Sequence, residues 1–182
     1  LAHIRWMLTA TARSRNTRGV LMSDCSRNCD NRMALGDQPL AALHVDPVEF
    51  GFLTAARYFC LSFSEPHGGA WVTAMLGAEC FFPGEDSAEK MRRALAVVHE
   101  MRTSRRSTFR FSNPRCEICT GIVTEDERHL LQLIQHARAR RGSLVASSAM
   151  LLCEGHNTDQ LRVAAQEFAN LVGASMRDSV EV

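Results

Sequence analysis

From residue 46 onward the apolar positions fall at three- and four-residue intervals. In "HVDPVEF" Asp46 is placed to cap a helix, Pro47 suits its first turn, and Glu49 completes a reciprocal capping box. Val48, Phe52, Ala56, Phe59 and Phe63 then form a stripe, widened by Leu53 and Cys60, which predicts a helix central to the core. Ser64 with Pro66 repeats the start signal. Trp71, Val72, Met75, Leu76 and Ala78 follow as a further helix, which Gly68, Gly69 and Gly77 weaken. After "FFPGED" a helix opening at Asp86 or Ser87 carries Met91, Ala94, Leu95, Val98 and Met101 on one face. Its charged residues, including Arg92, Arg93 and Arg102, lie elsewhere.

The period changes at "RRSTFRFSNP", where Phe109 and Phe111 alternate with polar residues as in a short strand or extended arm. Thr124 with Glu127 is another capping box, opening a helix through Leu130, Leu131, Leu133, Ile134 and Ala137 that ends in "RARRG". "SLVASSAMLLCEG" reads as a helix ending at Gly155. Asn157 with Gln160 opens the last helix, whose stripe from Leu161 to Val172 stops at Gly173. The expected fold is therefore mostly α: a compact domain of five or six helices over residues 39–173, with one short extended segment. Residues 174–182 read as a tail.

Residues 1–38 are expected to be disordered or a non-native extension, being rich in polar residues with little apolar period. Arg5, Arg13, Arg15 and Arg18 precede the first acidic residue, Asp24. That composition resembles an organelle transit peptide, or an upstream extension of a reading frame that starts at Met22.

Composition narrows the function classes. An apolar fraction of 46% over 182 residues suffices for one packed domain. A net charge of +1 argues against coating nucleic acid or anionic lipid with the whole surface, though a local basic patch is compatible with it. No apolar run approaches the ~20 residues of a membrane-spanning helix. Seven cysteines, an odd number, and no signal peptide point to a reducing cytoplasm, where closely spaced thiols serve as metal ligands or redox groups.

Two short-spaced pairs stand out: Cys116 and Cys119 in "NPRCEICTG", and Cys153 and His156 in "LLCEGHN". Structural zinc takes four such ligands from two turns. A helix over about residues 125–140 is roughly 24 Å long, and a second helix returning beside it brings Cys153 back toward Cys119. The expectation is a helical hairpin, residues 116–156, stapled by zinc. Three alternatives use the same thiols: an iron–sulfur cluster, a redox or metal-sensing Cys116/Cys119 pair, and a zinc site completed by Cys25 and Cys29. Cys60 and Cys80 lie in apolar surroundings and read as core residues.

Arginines flank the cysteine turn. Arg105, Arg106 and Arg110 precede it, and Arg138, Arg140 and Arg141 close the following helix, so the two sets define a possible nucleic-acid contact. No nucleophile elbow, phosphate-binding glycine loop, H-E-x-x-H or deaminase signature is present. The function expected is a binding or regulatory module with a structural metal, contacting nucleic acid or another protein. A thiol-based sensor is the alternative, and an enzyme without a recognisable motif the next.

Overall fold

A computed structural model describes residues 20–22 and 33–178 of the protein, with side chains for residues 33–173. Among them are eight helices: α1 (Pro47–Ser64), α2 (Ala70–Leu76), α3 (Ala78–Phe81), α4 (Ser87–Ser104), α5 (Glu117–Thr120), α6 (Glu125–Arg138), α7 (Gly142–Leu152) and α8 (Asp159–Asp178). Two small ladders complete the fold. Strand β1 (Val20–Met22) runs parallel to β3 (Phe109–Phe111), and β2 (Gln38–Pro39) runs antiparallel to β4 (Ile122–Val123). The fold is mostly helical, as the apolar periods predict. The helices beyond six include the single-turn α3 and α5, too short to leave a periodic signature.

Both capping boxes form. The Asp46 carboxylate accepts from the Glu49 amide at 2.8 Å while Glu49 accepts from the Asp46 amide at 3.2 Å. Thr124 and Glu127 do the same at 3.2 and 2.9 Å. Each box satisfies two amide donors that a bare helix start leaves open.

The core lies among α1, α4, α6 and α8. Phe52 of α1, Phe82 and Phe168 of α8 form an aromatic knot, with Phe168 centred 5.0 and 5.7 Å from the other two rings. Met91, Ala94, Val98 and Met101 of α4 and Leu130, Leu133 and Ile134 of α6 surround it. Burying each large side chain contributes about 1.5–3 kcal/mol against the entropy of ordering the chain. A smaller cluster of Leu53, Val123 and Leu131 sits under the β2–β4 pair.

Several boundaries differ from the sequence reading. The last helix runs past Gly173 to Asp178, because a lone glycine weakens a helix without stopping it. Packing begins before Leu40: β1 pairs with the arm, and the Asp37 carboxylate accepts from Arg110 at 2.8 and 2.9 Å. Residues 1–19, 23–32 and 179–182, and the expectations made for them, lie outside the described residues. Helix α2 starts at Ala70 rather than after Ser64, since Gly69 takes a left-handed conformation (φ 64°) and turns the chain first. Cys60 is buried as expected, but Cys80 is exposed. Among the described residues no helix is long and apolar enough to cross a membrane.

Candidate functional site

The expected helical hairpin is present. Helices α6 and α7 are joined by Ala139–Arg141 and pack side by side, and the start of one lies near the end of the other. That proximity is read from Arg105, whose guanidinium reaches Asp126 in the first turn of α6 at 3.4 Å and Glu154, just past α7, at 3.6 Å. Arginine therefore bridges the end of the hairpin assigned to a metal. Glu154 adds a second tie. It takes a left-handed backbone conformation (φ 55°) and accepts hydrogen bonds from the amides of Arg106 and Ser107 and from the Ser107 hydroxyl. These bonds hold its carboxyl down at about 2, the Ser107 hydroxyl contributing most.

A metal-stapled end is not shown. Among the described residues no three His, Cys, Asp or Glu side chains converge to hold an ion. Cys153 is fully buried in the main core, with Ser104 as its side-chain hydrogen-bond partner, and burial pushes its thiol up. His156 is half-buried, and its amide closes the turn on the Cys153 carbonyl at 2.9 Å. Cys116 is half-exposed just ahead of α5, and Cys119 is buried within that helix. Cys25 and Cys29 lie outside the described residues.

The cysteine turn is set by a different group. Arg57 of α1 donates to the carbonyls of Thr120 and Ile122 at 2.9 and 2.6 Å and forms a two-pronged pair with Glu127 at 2.7 and 3.1 Å. Glu127 also accepts from the Ser112 amide at 3.0 Å. One buried ion pair thus fixes the arm, the turn and the start of α6 against α1. Arg115 docks the outer edge of the turn through Glu65 at 3.4 Å and the Gly68 carbonyl at 3.0 Å.

The arginine sets do not merge into one patch. Arg105 is spent on Asp126 and Glu154, Arg110 on Asp37, and Arg138 on Asp46 and Glu49 at 2.6 and 2.9 Å. Arg106, Arg140 and Arg141 are exposed. Arg106 lies beside Glu154 at one end of α7, whereas Arg140 and Arg141 stand at the other, about 16 Å away along the helix. A cavity of about 230 Å³ beside α6 and α8 is lined by Ala137, Arg138, Arg140, Ala169, Asn170 and Gly173. It is smaller than most ligand pockets and has neither a nucleophile nor a carboxylate in its wall.

The least expected surface is α2. Its bulky residues face solvent: Leu76 is 82% exposed, Trp71 55%, and Met75 and Val72 are also open. Its small residues, Ala70 and Ala74, are fully buried. At 100° per residue the four bulky side chains cover an arc of about 140°, opposite the alanines. Alanine contacts let α2 and α3 lie close on α1, where Gly51 leaves room: a Cβ there would stand 2.0 Å from the Phe81 carbonyl oxygen. The sequence does carry a signal for this, the alanines at 70, 74 and 78. It competes with an equally regular bulky row, and only the close approach of α1 decides which row turns inward.

The chain matches no family model, no curated protein and no solved structure.

Proposed function

We propose that the protein is a helical interaction module that binds a partner protein through the outward face of α2. One observation carries this reading: a helix at the surface buries its alanines and presents Trp71, Val72, Met75 and Leu76 to water. Contiguous exposed apolar groups of this size mark binding surfaces on soluble folds, and tryptophan and methionine are enriched where such surfaces are used. The rest of the protein suits a scaffold. The ion pairs of Arg57 and Arg105 tie the polar segments together, and no cluster of nucleophile, base and pocket supports catalysis among the described residues.

The metal, sensor and nucleic-acid readings draw on residue spacing and composition. They receive less support, because the candidate ligands do not converge and three of the six arginines are paired. Peptides selected from a random library on the full chain test the interaction reading. The expected result is that they lose binding to Trp71→Ser and Leu76→Ser variants that melt as the wild type does. Peptides that bind these variants unchanged would overturn it.

A further inference from the structure

Between Arg57 and Lys90 the chain has no lysine or arginine, yet it carries Glu65, Glu79, Glu85, Asp86 and Glu89. Two of these acids are neutralised in place: Glu65 pairs with Arg115 at 3.4 Å, and Glu89 with Arg92 and Arg93 at 2.5 and 2.8 Å. Glu79 in α3, and Glu85 and Asp86 in the turn before α4, are exposed and make no ion pair among the described residues. In sequence the α2 segment thus leads into a stretch with three exposed carboxylates and one nearby cation, the buried Lys90, whose Nζ lies 3.9 Å from where a Gly84 Cβ would stand, so the stretch keeps a net negative charge. We infer that the occupant of this face is a basic amphipathic helix of a partner protein. Its apolar side would seat on Trp71, Val72, Met75 and Leu76, and its lysines or arginines would meet Glu79, Glu85 and Asp86.

The inference rests on the interaction reading above and adds the chemistry of the partner. A helix with apolar residues at three- and four-residue spacing matches a ridge about 8 Å long made of two i, i+4 rows. Opposite charge at the edge of such a contact sets orientation and discriminates between partners. The same carboxylates disfavour an anionic lipid surface or a nucleic acid. A second copy of the chain fits poorly as well, because a two-fold pairing repeats one patch, and the cations beside this one are the buried Lys90 and Arg115, already paired with Glu65.

Two synthetic peptides of about 18 residues, long enough for four to five helical turns, provide the test. They share the same leucine positions and carry lysine in one case, glutamate in the other, at the polar positions. Each is titrated with the full chain and followed by fluorescence anisotropy. The lysine peptide is expected to bind at least about tenfold more tightly, with the advantage shrinking as salt rises from about 50 to 500 mM. Leu76→Asp should abolish binding, and the triple variant Glu79→Gln/Glu85→Gln/Asp86→Asn should remove the preference while leaving residual binding. Circular dichroism melting checks that the variants fold, and Leu76→Ser replaces Leu76→Asp if the latter does not.

Equal binding of the two peptides, or a preference that survives the triple variant, would overturn the inference while leaving the interaction reading intact. So would dimerisation of the chain, seen by sedimentation and lost in Leu76→Asp. If neither peptide binds, the inference falls, and the interaction reading is decided by the library selection described above.

Discussion

Arg57 and Glu127, 70 residues apart in sequence, meet inside the protein with side chains 3% and 1% exposed. The pair is fully engaged. Arg57 also donates to two carbonyls, and Glu127 accepts from the amides of Ser112 and Thr124. Removing one partner leaves the other charged group buried and unpaired, which costs about 3–5 kcal/mol. Arg57→Met and Glu127→Gln are each expected to lose that much in urea unfolding. The double variant should lose clearly less than the sum of the two. Additive losses would mean the pair does not act as a unit.

Gly51 decides whether α3, and with it α2, can lie on α1. An alanine methyl would stand 2.0 Å from the Phe81 carbonyl oxygen and 3.3 Å from the Phe82 ring. Gly51→Ala should therefore destabilise by about 1–3 kcal/mol through overpacking. Helix propensity alone would favour alanine by up to about 1 kcal/mol. A more stable variant in urea unfolding would show that the approach is looser than this.

Glu154 makes stability depend on pH in a defined direction. Its carboxyl sits at about 2 in the folded protein against an ordinary 4.5, held down first by the Ser107 hydroxyl and then by the Arg106 and Ser107 amides and Arg105. A lowered folded-state value means the clasp contributes fully above about 4.5 and is lost as pH falls toward 2. Melting temperatures of wild type and Glu154→Gln should differ at pH 6 and converge as pH falls through that window. A gap that stays constant with pH would assign the effect to shape rather than charge.

Arg105 bridges the open end of the α6–α7 hairpin, so that end should depend on it and not on a metal. Arg105→Gln removes the contacts to Asp126 and Glu154. It is expected to cost about 1–3 kcal/mol, the usual penalty for stranding buried or half-buried polar partners. A zinc chelator should leave the wild-type melting temperature unchanged. A fall of several degrees on chelation, reversed by zinc and absent in Cys116→Ser, would restore the metal to the cysteine turn.

The elements that could be read in the sequence are those whose signals are local. The Asp46–Glu49 and Thr124–Glu127 boxes, the Phe109–Phe111 arm and the α6–α7 hairpin each follow from residues within a few positions of one another. What could not be read depends on neighbours distant in sequence. Thiol spacing at Cys116 and Cys119 is visible, but Arg57 arriving from α1 to hold that turn is not. Arg105, Arg110 and Arg138 look like a basic cluster until Asp126, Asp37 and Asp46 are placed beside them. In α2 two rows compete, and the packing of the helix on α1 buries the alanines.

The central claim is that the large side chains of α2 belong to an interaction surface and not to the core. The most direct measurement is the unfolding free energy of the Trp71→Ser/Leu76→Ser double variant in the free protein. Two exposed positions should change it by no more than about 0.5 kcal/mol each. A loss of about 5 kcal/mol or more, the cost of truncating two buried large residues, would show that this face is already covered by the protein itself.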